Sequence, residues 1–134
     1  MTTPFGPQLI GETEKTLNAL LRRFLQGTGL TEPEWVSLRV ADQLDGRVGA
    51  DGLTAAIADR AHFPDAADLV RDLTNRGLID DGRVTSAGRG LITAIQTTIA
   101  RETTPIWGDL PADDVAAATR VLNEVTNRAR AVLR

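Results

Sequence analysis

Residues 65–89, with the sequence DAADLVRDLTNRGLIDDGRVTSAGR, decide the fold of this chain. The first part of the stretch places apolar residues at helical spacing and stops at Gly77, as a helix does at a C-terminal glycine. Two short β-prone runs then flank Asp81-Gly82, a dipeptide that is a strong signal for a two-residue hairpin. The stretch therefore predicts a helix, a small β-hairpin and the start of another helix close behind it.

The segment before this stretch adds two longer helices. Apolar positions recur at helical spacing from about Leu9 to Gln26. Thr31 and Glu34 then fit a capping box, in which the threonine caps the helix and the glutamate reaches back to it. We therefore predict helices at about residues 9–26 and 32–44.

A short helix and a tight turn connect these elements. Residues 45–52 carry three glycines and two aspartates and are predicted as a loop, with or without one short strand. A short helix follows over 53–61 and breaks before Pro64, because the residue before a proline is disfavoured in the helical region. Asp65 then lies at the start of the next helix. Helix, tight turn, helix and hairpin in this order predict a winged helix-turn-helix over about residues 31–85.

Two helices make up the rest of the chain. The first begins at Thr85 or Ser86 and runs to about Thr104, where Pro105 is expected to kink or end it. The last spans about residues 112–133, and its apolar positions alternate in steps of three and four, as in a three-heptad seam. The seam consists of Val115, Ala118, Leu122, Val125, Ala129 and Val132.

The first and last helices lie outside the predicted winged helix-turn-helix and carry apolar stripes that need a partner surface. They either pack within one chain or also form a two-fold interface between two chains, and narrow seams on a small chain favour the dimer. The expected dimer contacts are Leu9, Trp107, Val115, Leu122, Val125, Ala129 and Val132. The predicted fold class is mainly α: a winged helix-turn-helix with a short β-hairpin wing, flanked by N- and C-terminal dimerisation helices.

The chain resembles the MarR family of dimeric winged-helix transcription regulators. The resemblance is carried by LVRDLTNRGLI at 69–79 and VTSAGR at 84–89, together with the order of all six predicted helices. It implies a single MarR-like domain over 1–134, with dimerisation helices at about 9–26 and 86–133. It also implies that the second helix of the helix-turn-helix enters the major groove of double-stranded operator DNA, with the hairpin beside the minor groove.

The residues that would face DNA carry little positive charge. On the resemblance, and with the apolar side of the recognition helix turned inward, the predicted DNA contacts are Asp65, Ala67, Asp68, Arg71 and Arg83. Between residues 59 and 90 there are five arginines and six aspartates. The wing loop is only two residues long and offers a single arginine. The alternative is therefore a winged-helix dimer with weak or lost DNA binding, which acts as a ligand- or protein-binding module.

The resemblance also implies a small aromatic or phenolic ligand between the dimerisation helices and the winged helix. The candidate contacts on the helices that would wall this site are Phe24, Trp35, Arg39 and Ile95. An arginine beside aromatic side chains suits an aromatic carboxylate. The competing interpretation is structural: Trp35 pairs with Leu30 as a hydrophobic staple, and Phe24 belongs to the core.

Composition argues against several other functions. The sequence has no cysteine and one histidine, His62, so we expect no thiolate or multi-histidine metal site. It also has no glycine-rich phosphate loop and no serine paired with a histidine in a recognised motif, so we expect no cofactor and no enzymatic activity. His62 is interpreted as a helix cap or surface residue, with a pH-sensing or DNA-contacting role as the alternative. No apolar run is long enough for a membrane span and the N-terminus does not resemble a secretory signal, so a cytoplasmic protein is expected. A formal net charge of −3 excludes bulk attraction to nucleic acid.

Overall fold

A computed structural model describes residues 2–134, and this part of the chain is mainly helical with one small antiparallel hairpin. It divides into two compact units, one up to Ile99 and the other from Ala100 onward. The elements, in chain order, are α1 (Pro7–Leu25), α2 (Glu32–Leu44), α3 (Ala50–Ala61), α4 (Ala66–Asn75), β1 (Ile79–Asp80), β2 (Arg83–Val84), α5 (Ser86–Trp107) and α6 (Ala112–Leu133).

The predicted start of α2 is confirmed in detail. The Thr31 N–H donates to Glu34 Oε1 at 2.8 Å, and the Glu34 N–H donates to Thr31 Oγ1 at 3.3 Å. The second carboxylate oxygen of Glu34 accepts a hydrogen bond from Arg76 Nη1 at 2.9 Å, and Arg76 Nη2 also donates to the Gly29 carbonyl at 3.0 Å. One glutamate thus caps α2 and ties the end of α4 to the start of α2.

Two helices begin earlier than the sequence pattern predicts. Helix α3 starts at Ala50 rather than Leu53, and residues 45–49 form no strand. Gly52 fits inside this helix because the Val48 side chain fills the space where a Cβ would lie. Helix α1 starts at Pro7 rather than Leu9, because a proline is compatible with the first turn, where its missing N–H costs nothing.

The two-residue hairpin is confirmed. Ile79 pairs with Val84 and Asp80 with Arg83, and both turn residues have positive φ, 49° at Asp81 and 80° at Gly82. This backbone is the one that Asp-Gly turns favour. A Cβ at Gly82 would lie 2.9 Å from the carbonyl oxygens of Val48 and Gly49, so the tip packs directly on the loop between α2 and α3.

The core of the first unit joins side chains from α1 to α5. Its fully buried members include Leu38, Leu53, Ile57, Leu73 and Ile92. Helix α5 begins where the Thr85 hydroxyl accepts the Gly88 N–H at 3.1 Å and donates to the Gly77 carbonyl. Helix α5 therefore begins two residues after the end of β2.

The second unit contains the end of α5 and all of α6. Helix α5 continues through Pro105 to Trp107, so the predicted end near Thr104 is wrong; a proline has a φ compatible with a helix and removes only one hydrogen-bond donor. The bounds of α6, Ala112–Leu133, agree with the prediction, and α6 has no buried residue. Among residues 2–134, no helix combines the length and the apolar character that crossing a bilayer requires.

Candidate functional site

Helix α4 has one buried face and one exposed face. Ala66, Leu69, Val70 and Leu73 are buried, as the apolar spacing predicts. The predicted DNA contacts at the N-cap and on the opposite face of α4 are all exposed: Asp65, Ala67, Asp68 and Arg71. A helix held rigidly on one side presents the other side as a regular row of side chains, which suits insertion into a groove.

The single arginine on this exposed face is paired internally. Arg71 Nη2 contacts Asp68 Oδ1 one helical turn away, and both side chains are more than half exposed. Exposed pairs of this kind contribute about 0–1 kcal/mol. A phosphate could therefore replace the aspartate as the partner of Arg71, but the aspartate would remain nearby and oppose it.

The structure places Arg83 differently from the wing arginine predicted from the sequence. Its guanidinium lies against Gly46 in the loop after α2, because a Cβ at Gly46 would come 2.5 Å from Arg83 Cζ. Gly46 has a φ of 71° and leaves room for the side chain. Arg83 thus lies along the α2–α3 loop instead of extending beyond the hairpin tip.

The other arginines of this region also have partners within the first unit. Arg60 donates to Gln43 at 3.3 Å, Arg76 binds Glu34, and Arg89 contacts Asp42. Arg60 and Arg89 lie on α3 and α5, and Arg76 follows the end of α4. Three of the five arginines between residues 59 and 90 therefore contact a carboxylate, and these ion pairs reduce the positive potential around α4 and the hairpin.

The candidate ligand residues are brought together only in part. The Arg39 guanidinium lies 5.9 Å from the centroid of the Trp35 ring, within the range of a cation–π contact. Trp35 and Ile95 are buried in the hydrophobic core, as the structural interpretation expects, whereas Phe24 is half-buried and is not among the core residues. Arg39 also contacts Asp42 at 3.4 Å, so an incoming carboxylate would compete with an existing acid.

Asp42 connects two helices of the first unit. Its carboxylate contacts both Arg39 and Arg89 and so joins α2 to α5. The Arg39 contact follows from an i, i+3 spacing that the sequence displays. The Arg89 contact spans 47 positions and has no local signal.

His62 occupies the C-terminal cap of α3 and is exposed. Its φ is 58°, and its N–H donates to the Ala58 carbonyl at 3.0 Å. Histidine is among the residues that adopt this left-handed conformation more often than most side chains. The local backbone geometry thus gives His62 a structural place as a cap.

The predicted dimer contacts leave an apolar surface uncovered on α6. Val115, Leu122 and Val125 are 43–45% exposed, Val132 is 85% exposed, and Trp107 at the end of α5 is 53% exposed. Ala129 is also exposed, while Leu9 on α1 is half-buried. The α6 seam has no cover within the second unit.

Two open surface cavities are lined by neither Trp35 nor Arg39. One, of about 570 Å³, is lined by the N-terminal arm and one face of α1, including Leu9 and Thr13. The other, of about 270 Å³, runs along α6 beside Val121 and Val125. Both adjoin helices with predicted dimer contacts.

No family model, curated protein or solved structure matches the chain. The features of this chain that bear on function are therefore its own: the buried and exposed faces of α4, the hairpin that follows it and the uncovered seam of α6.

Proposed function

We propose that the chain is a dimeric, MarR-like transcription regulator with a winged helix-turn-helix that binds double-stranded operator DNA. The observation that carries the proposal is α4. Its apolar face is buried in the first unit, its opposite face is exposed over the whole helix, and a two-stranded hairpin follows directly. In proteins of this class such a helix reads base edges in the major groove. A regulator that binds operator DNA would act in the cytoplasm.

Dimerisation supplies the second half of the proposed mechanism. The exposed seam of α6 offers an apolar surface that a second copy could cover. A two-fold dimer would present two α4 helices to two half-sites about one helical turn of DNA apart. A change in the separation of these helices would then change DNA affinity.

A small aromatic ligand is the proposed signal. The Arg39 guanidinium lies beside the buried Trp35 ring at the edge of the core, and the Asp42 contacts with Arg39 and Arg89 link this pair to α5. A phenol or benzoate that displaced Asp42 from Arg39 would alter this link. The ligand would regulate the protein only to the extent that it binds the two states with different affinity.

DNA selection tests the proposal directly. The full chain is incubated with random duplex DNA at low salt, and bound sequences are recovered and sequenced. We expect an enriched motif with two half-sites, and weaker binding of that motif by Arg71→Ala. Failure to enrich any sequence would overturn the DNA-binding function.

Charge removal on α4 sharpens this test. Asp68→Asn should bind the selected DNA more tightly, because it frees Arg71 and removes a negative charge from the proposed groove face. Asp113→Asn makes the same charge change at the exposed start of α6 and is the matched control. Equal effects of the two substitutions would argue that α4 is not the DNA contact.

Light scattering tests the dimer. We expect the mass of two chains for the wild type and the mass of one chain for Leu122→Asp.

The second candidate function is a winged-helix dimer with weak or lost DNA binding that serves as a ligand- or protein-binding module. The pairing of Arg71, Arg76 and Arg89 with carboxylates of the same unit favours it. Salt dependence separates the two functions, because each neutralised phosphate contributes about 0.9 to the slope of log affinity against log salt. A slope near zero would favour the module.

Tryptophan fluorescence tests for ligand binding. The Trp107→Phe variant keeps Trp35 as its one tryptophan, and its fluorescence is followed during titration with phenols and benzoates.

A further inference from the structure

Helix α6 displays a long apolar stripe that the second unit leaves open. None of its residues is buried, and Val121 and Leu133 extend the exposed apolar surface beside the seam. A helix of this length spans about 33 Å, so the stripe is much longer than an isolated surface patch. Such a surface on a soluble helix calls for a specific partner.

The seam is symmetric about the midpoint between Asn123 and Glu124. Leu122 and Val125 lie at equal distances on either side of that point, and the same holds for two further pairs of like residues. Those pairs are Ala118 with Ala129 and Val115 with Val132. When two such helices run antiparallel, every apolar side chain meets an apolar side chain and every alanine meets an alanine.

Charge on the second unit is also arranged for an antiparallel neighbour. Residues 109–114 contain three aspartates and no basic residue, whereas residues 115–134 contain four arginines and one glutamate. Three of these arginines lie in the last seven positions. Antiparallel helices place the acidic start of one beside the basic end of the other, whereas parallel helices place like charges together. The opposed helix dipoles add to this preference.

We infer that α6 pairs antiparallel with α6 of a second copy of this chain, with the two-fold axis between Asn123 and Glu124. The inference rests on the proposed dimer and specifies its partner surface, direction and register. Leu122 then faces the partner's Val125, and Val115 faces the partner's Val132. The exposed position of the seam and the mirror order of its residues carry this assignment.

Cysteine cross-linking of the full chain tests the direction, because the natural sequence has no cysteine. Val115→Cys and Val132→Cys are prepared separately, mixed, and oxidised with copper phenanthroline. We expect a cross-linked dimer in the mixture and none from Val115→Cys alone, since like residues would be about 26 Å apart along the axis. A disulfide needs Cα atoms within about 7 Å. Peptide mass spectrometry identifies the linked positions.

A matched pair controls for random collision. Ala116→Cys mixed with Ala131→Cys has the same mirror relation about the midpoint but points away from the seam, so no cross-link is expected. Cross-linking of Val115→Cys with itself would show parallel helices and overturn the inference. A dimer mass without the 115–132 link would show that another surface, such as α1, holds the copies together, and a monomer mass would also overturn it.

DNA selection separates this inference from the proposed function. A 115–132 cross-link in a chain that enriches no DNA would support the antiparallel pairing and refute the regulator. An enriched two-part DNA motif bound by a dimer without that link would support the regulator and refute the pairing. The two proposals therefore fail independently.

Discussion

The two units of this chain carry similar apolar patterns with opposite outcomes. In the first unit the apolar side chains of α2, α3, α4 and α5 cover one another, and Leu38, Leu53 and Ile57 have no exposed surface. In the second unit the large apolar side chains of α6 are exposed by 42–85%. Periodicity therefore identifies an apolar face but does not say what covers it. Substitutions of like residues that differ in their surroundings, measured at one protein concentration, test what this cover contributes.

The largest expected effect comes from truncating a core leucine. Leu38→Ala should lower the free energy of unfolding by about 2–5 kcal/mol, because it removes buried contacts and leaves a cavity. Leu133→Ala makes the same change at a side chain that is 71% exposed and lies outside the seam. Its effect should be about 0.5 kcal/mol or less. Urea denaturation followed by circular dichroism measures both, and equal losses would contradict the distinction between the units.

Two glycines of α5, Gly88 and Gly90, differ in how closely the first unit packs around them. A Cβ at Gly88 would overlap the Leu78 carbonyl oxygen, whereas a Cβ at Gly90 would meet nothing within 4 Å. Gly88→Ala should therefore destabilise the chain by about 1–3 kcal/mol. Gly90→Ala should stabilise it by up to about 1 kcal/mol, because alanine favours a helix. Thermal unfolding of both variants checks the sign, and stabilisation by Gly88→Ala would refute the close contact.

Two ion pairs of similar length test the effect of burial on a charged contact. Arg76 contacts Glu34 at 2.9 Å, with the glutamate side chain 15% exposed, and Arg128 contacts Glu124 at 2.8 Å, with both side chains more than half exposed. Arg76→Ala should cost about 1–1.5 kcal/mol, since it also removes a hydrogen bond to Gly29. Arg128→Ala should cost about 0.5 kcal/mol or less. Repeating the denaturation at high salt should leave more of the first effect than of the second.

The smallest destabilisation by a first-unit substitution is expected for the capping threonine of α2. Thr31 caps α2, whereas the Thr119 hydroxyl bonds only to the preceding turn of α6, at the Val115 carbonyl. Thr31→Ala should cost about 1 kcal/mol. Thr119→Ala should be neutral or slightly stabilising, because alanine is the better helix former. Denaturant midpoints resolve the two variants, and a neutral Thr31→Ala would mean that the cap contributes nothing measurable.

Local chemistry explains which parts of the fold could be predicted. The start of α2 follows from Thr31 and Glu34, and the hairpin follows from Asp81-Gly82, because each signal acts within four residues. The starts of α1 and α3 and the passage through Pro105 were less predictable, since helix ends depend on neighbours as well as on propensity. The spacing on α4 correctly separated its buried from its exposed residues.

The candidate site was predictable only where its contacts are local. Arg39 with Asp42 and Asp68 with Arg71 are each three positions apart on one helix. The contact of Arg83 with Gly46 joins the hairpin to a loop 37 positions earlier, and no local sequence pattern predicts this contact. The charge available to DNA therefore differs from the charge counted in the sequence.

Local signals in the sequence were sufficient to predict the presence of the helices and the hairpin and the inward face of α4, because propensity, capping and periodicity act over short distances. The contact of Asp42 with Arg89 and the position of Arg83 against Gly46 became visible only in the folded chain. Both contacts depend on how separate elements pack, and packing brings together residues that no local pattern links. The exposure of the α6 seam is likewise visible only in the structure, because it depends on which elements pack against α6.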